Sequence, residues 1–101
     1  MAEINHLSIW ENSFGNVQTA YDYAGRKVHK SAYNNRFSNY GWNIDHIRPI
    51  SLGGTSKQCN LIVTHIATND EKKNRFPHWK ANEQRFKAVK KSKNCYDIFQ
   101  Y

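Results

Sequence analysis

The sequence predicts an α+β fold, with a strand, a loop, a second strand and a helix at its centre and β-hairpins and loops on either side. Three observations carry this. Residues 42–47, WNIDHI, set Trp42, Ile44 and His46 on one face against Asn43, Asp45 and Ile47 on the other, the two-residue period of a strand, and Pro49 stops it. Residues 59–66, CNLIVTHI, are a β-branched apolar run that supplies a partner strand. Thr68 and Glu71 then stand at capping-box spacing. Asp70 and Glu71 suit the positive end of a helix dipole, and Lys72 and Lys73 follow, so a short helix is predicted from near Thr68 to Pro77.

The flanks read as follows. In VQTAYDYAGRKVHK, residues 17–30, Ala24-Gly25 separates two short segments rich in Val and Tyr, which predicts a hairpin. Residues 31–41, SAYNNRFSNYG, are polar and turn-forming with interleaved rings and predict an irregular loop. Leu52-Gly53-Gly54 supplies positive-φ residues for a tight reversal between the two central strands. In WKANEQRFKAVKK, Asn82-Glu83 at a turn, with Phe86, Ala88 and Lys90 alternating, predicts a second hairpin, with a continued helix as the competing reading. At 101 residues the core is modest. Large rings (Trp10, Phe14, Trp42, Phe76, Trp79 and Phe86) are expected to fill much of it, and for Trp79 and Phe86, which stand among cations, core filling is expected over stacking on unpaired bases.

Fifteen Lys and Arg against eight Asp and Glu give a net charge of +7, which favours a polyanionic partner through release of counterions from phosphates. The charge is uneven: residues 72–93 hold nine of the cations and one acid, Glu83. A mean hydropathy of −0.87 and the lack of a long apolar run argue against a membrane span or membrane partner. The first fifteen residues show no basic segment before an apolar one, so no secretory signal is expected. Cys59 and Cys95 belong to no CxxC motif, and free thiols in a reducing, cytoplasmic setting are expected, a single bridge being the alternative.

The chemistry concentrates in DHIRPISLGGTSKQCNLIVTHIATNDEKKN, residues 45–74. Cleavage of a phosphodiester by water needs a group to take the water's proton and countercharge for the phosphate and the departing oxygen. A histidine titrates in the right range for the first task. A carboxylate with a neutral amide oxygen suits a hard divalent ion for the second. Asp45, His46 and Asn69 are those atom types, and Lys72 and Lys73, three and four residues beyond Asn69, share its helix face. Neighbours on a strand point to opposite sides, so Asp45 and His46 can serve one phosphate only at the strand's end or across a distorted pleat.

The pattern Asp-His, Pro, Gly-Gly, Asn-Leu, then Asn with a lysine one turn later resembles the HNH endonuclease family over roughly residues 41–75. Asn60 follows His46 by 14 positions and Asn69 follows Asn60 by nine, the spacing of that family. The resemblance implies a ββα-metal (His-Me finger) core, one HNH nuclease domain over 1–101 with a basic part at 76–101, and a one-metal mechanism. In it Asp45 and Asn69 hold a single Mg²⁺ or Mn²⁺, His46 is the general base, and Asn60 fixes the loop between the strands. The products would be a 3′-hydroxyl and a 5′-phosphate. DNA is the implied partner, with Arg48, Lys72, Lys73, Arg75, Lys90 and Lys91 as candidate contacts to it. Two departures matter. The third signature residue is Asn rather than His, and the places of the zinc-binding cysteines found in many relatives read His65 and Thr68, so no structural zinc is expected.

Each residue alone has a plainer explanation: a surface turn for Asp45-His46, a helix-start residue for Asn69, packing or a loop contact for His65. His6, His29 and His78 lack partners at ligand spacing. Asn60 inside an apolar run is harder to dismiss, because a buried amide costs about 1–3 kcal/mol unless it is bonded. The competing functions are a nucleic-acid-binding module without turnover and a nuclease toxin held by an inhibitory immunity partner. A homodimer or a separate specificity partner would supply target recognition, and phage or mobile-element settings suit such an enzyme.

Overall fold

The computed structural model describes residues 4–101. The centre is the anticipated strand, loop, strand and helix. Strand β3 (Trp42–His46) pairs antiparallel with β4 (Leu61–His65), in a register running from Trp42 opposite His65 to His46 opposite Leu61. Helix α2 (Ile66–Lys72) follows β4 without a loop and packs on the pair. Before this unit come helix α1 (His6–Phe14) and the hairpin of β1 (Thr19–Tyr21) and β2 (Lys27–His29). After it comes an antiparallel sheet of β5 (His78–Ala81), β6 (Gln84–Ser92) and β7 (Cys95–Gln100), in that order.

Both faces of the central pair are covered, which explains why its strands read as mixed rather than cleanly alternating. On one side Ile9 and Trp10 of α1 join Val28, Ala32, Trp42 and Val63, with Ile44 and Leu61 packed against them. On the other side α2 lies over Asn43 and Asp45. A second, smaller core of Ala24, Trp79, Ala81 and Phe86 joins the β1–β2 turn to the C-terminal sheet, and Trp79 Nε1 donates to Tyr23 Oη at 3.0 Å. Trp10, Trp42, Trp79 and Phe86 are buried as expected, while Phe14 and Phe76 are partly so.

Asp22 organises the first hairpin. Its Oδ1 accepts from the backbone N–H groups of Ala24 and Arg26, and its Oδ2 reaches across to accept from His65 N, so the turn is tied to the junction of β4 and α2. A second tie gathers at Glu71, which pairs with Arg26 and accepts from Asn82 N in the β5–β6 turn. Both contacts hold the Glu71 carboxyl below its ordinary range. That turn is Asn82-Glu83, both at positive φ (49° and 62°), the geometry that joins twisted strands with two residues. The hairpin reading of the tail therefore holds over the helical one.

Four features depart from the sequence expectations. Helix α1 was not anticipated; the Asn5 side chain caps it, accepting from Leu7 N and Ser8 N, and Gly15 at φ 74° ends it. Helix α2 begins at Ile66, two residues before Thr68, because His65 rather than Thr68 is its cap: Nδ1 accepts from Ala67 N. The helix ends at Lys72, well before Pro77, where Lys73 turns left-handed at φ 54°. Third, β7 extends the second hairpin into a sheet, and fourth, Cys59 and Cys95 form a disulfide across 36 residues, tying the loop before β4 to β7. The expectation of free thiols is thus corrected: the two sit 4.8 Å apart at Cα because β7 returns beside that loop. No helix among the described residues is long and apolar enough to cross a membrane.

Tyr23 gives the fold a pH dependence. Burial, reinforced by the charges of Asp45 and Asp22, pushes its phenol well above the ordinary value of 10.0, against the opposing hydrogen bond from Trp79. A raised folded-state value means that the unfolded chain releases this proton first, so stability present below pH 10 is lost as the pH climbs above it. Urea unfolding measured from about pH 9 to about pH 12 is expected to show a steeper alkaline loss for the native chain than for Tyr23→Phe. Equal slopes would contradict the burial argument.

Candidate active site

The loop between β3 and β4 is built around one amide. Asn60 is fully buried; its Oδ1 accepts from Arg48 N at 2.9 Å, and its Nδ2 donates to Arg48 O at 3.1 Å and Thr55 O at 2.7 Å. Those bonds fix the chain leaving β3. The double glycine completes the loop in two different ways. Gly53 adopts φ 90°, whereas Gly54 is needed for closeness: a Cβ there would lie 1.7 Å from Arg48 O. Only Gly53 thus has the positive φ expected of both.

His46 is the last residue of β3 and Asp45 the one before it, and both line a single open cleft of about 260 Å³ with Ile44, Pro49, Ile50, Ser51 and Asn74. The alternation of a strand is no obstacle here because the cleft lies at the strand's end. His46 Nε2 sits 3.0 Å from Ser56 Oγ, so the loop hydroxyl orients the ring. Asn69 lies one turn before Lys72 on α2, and its Nδ2 donates to Asn43 Oδ1 at 2.9 Å, which leaves the amide oxygen as the group it can offer a cation. Asn43 Oδ1 also accepts from Thr64 Oγ1.

Lys72 is placed differently from its expectation. It is fully buried, its Nζ lies 3.1 Å from Asp45 Oδ2, donates to His46 O at 3.3 Å and rests 5.0 Å from the Trp79 ring centre. It does share a helix face with Asn69, but that face points into the protein toward β3, so its proposed phosphate contact is corrected to an internal ion pair. Lys73 leaves the helix through its left-handed backbone and is exposed, as are Arg75, Lys90 and Lys91. Arg48, another candidate for DNA contact, is half-buried and bonded within the protein: Nε donates to Leu52 O at 2.8 Å, Nη1 to Tyr96 Oη at 3.1 Å, and the guanidinium lies over Phe76.

Burial pushes the Asp45 carboxyl above its ordinary range, and the Lys72 ammonium, with a lesser contribution from His46, pulls it back. Oδ2 is buried and accepts no aligned hydrogen bond despite the nearby ammonium. With Oδ2 buried beside Lys72, the oxygens that could serve a hard divalent ion, completed by water and substrate oxygens, are Asp45 Oδ1 and the Asn69 amide oxygen. Among the described residues no three His, Cys, Asp or Glu side chains gather. His65 has both nitrogens in use: Nδ1 caps α2 and Nε2 donates to Asn39 O at 2.7 Å. His6 stacks on Tyr33 and His29 on Tyr40.

Three participants escaped the sequence reading: Asn43, Ser56 and Asn74. Asn43 was legible, since it lies two residues before Asp45 on the same strand face. Ser56 and Asn74 arrive through loops and leave no periodic signal.

Replacing Lys72 by Met is expected to cost about 3–5 kcal/mol in denaturant unfolding by stranding a buried carboxylate, and Asp45→Asn on top of it to recover most of that loss. Additive losses would mean the two side chains are not coupled. Gly54→Ala is expected to lower the melting temperature far more than Gly53→Ala, which meets only the Arg48 guanidinium at 3.2 Å and a backbone penalty of about 1 kcal/mol. Similar melting temperatures would remove the close approach at Gly54 as a constraint.

No curated protein and no solved structure matches the chain. The model of a family described as HNH endonuclease does match, over residues 23–78, more than half the chain and spanning the hairpin turn, both central strands and α2. The chain belongs to the HNH endonuclease family.

Proposed function

We propose that the protein is a metal-dependent DNA endonuclease that hydrolyses phosphodiester bonds from the cleft at the end of β3, which we read as the working end of a ββα-metal finger. The observation that carries this is the opening of Asp45 and His46 onto one cleft, with Asn69 presented from the helix packed against the same strand. With Nε2 turned to Ser56 Oγ, His46 keeps Nδ1 as the nitrogen that takes a proton from water. Asp45 and Asn69 would hold one Mg²⁺ or Mn²⁺, which when bound supplies positive charge for the phosphate and the departing oxygen. Asn60 acts through His46, holding the loop that aims it, and Lys72 holds Asp45 and the His46 carbonyl in place. The exposed Lys73, Arg75, Lys90 and Lys91 bring the phosphate backbone to the surface by charge. Cleavage in this arrangement leaves a 3′-hydroxyl and a 5′-phosphate.

A second reading, a nucleic-acid-binding module without turnover, draws on one observation: the Asp45 carboxylate already faces an ammonium. Supercoiled plasmid separates the two. Under the first reading, nicking or linearisation requires Mg²⁺ or Mn²⁺ and is abolished by EDTA, His46→Ala and Asp45→Ala, while Lys90→Ala mainly weakens binding in a salt-dependent way. Retarded but intact plasmid with every variant would favour the second.

A further inference from the structure

We propose that the outward face of the β5–β6–β7 sheet is a platform for a nucleic-acid strand with unpaired bases. This deepens the nuclease reading and rests on it for the class of ligand. Residues paired directly across antiparallel strands share a face, so the register places His78, Lys87 and Phe99 in one row across the sheet. Lys80 and Arg85 are paired in the next row, where Tyr101 N bonds Arg85 O. All six are exposed, Phe99 at 49% and Tyr101 at 57%. The opposite face is the one that enters the core through Trp79, Ala81 and Phe86.

Three features fit one occupant. Lys80 directly opposite Arg85 is a like-charge pair that opposes the sheet's own pairing, and a bound polyanion turns that repulsion into attraction. Within the three strands the acid on this face is Asp97, which stands at its far end opposite Val89. Phe99, in β7, and Tyr101, the residue just past its end, lie two residues apart, about 7 Å in extended chain, and both side chains are exposed. A duplex hides the faces of its bases within the stack; a single strand has them free to stack on such rings while its phosphates meet the cations. Lys87 Nζ at 5.9 Å from the Tyr101 ring centre and the edge-on His78 ring at 5.7 Å brace that ring.

The platform also connects to the cleft. Lys80 lines a surface hollow with Lys73 and Arg75, and Asn74, between those two in the chain, lines the cleft of Asp45 and His46. Three acids share that hollow: Asp70 is paired with Arg36 and Glu71 with Arg26, while Glu83, in the β5–β6 turn, stands beside the cations without an ion pair among the described residues. With two of the three acids neutralised in this way, a strand lying on the sheet meets Lys80, Arg75 and Lys73 on its way to the cleft.

The test is fluorescence anisotropy with dye-labelled oligothymidine and a duplex of equal length, using His46→Ala protein in EDTA so that binding is read without turnover. The unpaired strand is expected to bind more tightly than the duplex. Phe99→Leu and Tyr101→Leu should each weaken that binding by about tenfold with the salt slope unchanged, and Phe99→Tyr should retain it. Arg85→Gln should instead reduce the salt slope by about 0.7. Equal affinity for strand and duplex, or indifference to loss of either ring in variants that melt normally, would overturn the platform. Binding of this kind alongside an intact plasmid would sink the catalytic reading and leave the platform standing; plasmid cleavage without the ring dependence would do the reverse.

Discussion

The buried amide of Asn60 is the constraint on which the rest of the site depends. A primary amide in a dry interior must satisfy both ends, and here it does so on the backbone of the loop that leaves β3. With Arg48 N and O and Thr55 O all tied to one side chain, the path from His46 to Ser56 has little freedom, and Ser56 is the residue that meets the imidazole. Gly54 permits this clamp because no other residue could approach Arg48 O so closely. The orientation of His46 is therefore a property of the loop rather than of the strand that carries it.

The ion pair of Asp45 and Lys72 is the second constraint, and it acts between elements. It joins β3 to α2 with Lys72 fully buried and Asp45 nearly so, where each charge would be costly without the other. Trp79 closes over the ammonium, so the C-terminal sheet contributes to the surroundings of a carboxylate far from it in the chain. Asn43 and Asn69 form the neutral counterpart one turn away, and together the two contacts set the height and rotation of α2 on the strands. His65, by capping the helix at Ile66, sets where that rotation begins.

Outside this unit the molecule divides its labour by charge. The side of α1 and the first hairpin supplies most of the apolar core, around Trp10 and Trp42. The C-terminal sheet supplies a smaller core on one face and displays Lys80, Arg85 and Lys87 on the other. The disulfide and the ties at Glu71 and Asn82 anchor that sheet to the central unit from two directions. A charged sheet face of this kind is tolerated because its inner face is well buried and its ends are held.

The sequence by itself determined the central strand, loop, strand and helix, the two hairpins and the family. These follow from local period, turn chemistry and spacing, which act over a few residues or along a signature. Only the tertiary structure decided which way α2 faces, and with it the fate of Lys72. Thr68-Glu71 and His65 offer competing caps, and it is Asp22 and Asn39, distant in the chain, that hold His65 in the capping position. The pairing of Cys59 with Cys95, the internal bonding of Arg48 and the sharing of one cleft by Asp45 and His46 likewise depend on where β7 and the loop return. Such contacts are set by long-range packing, and no periodicity in the chain encodes them.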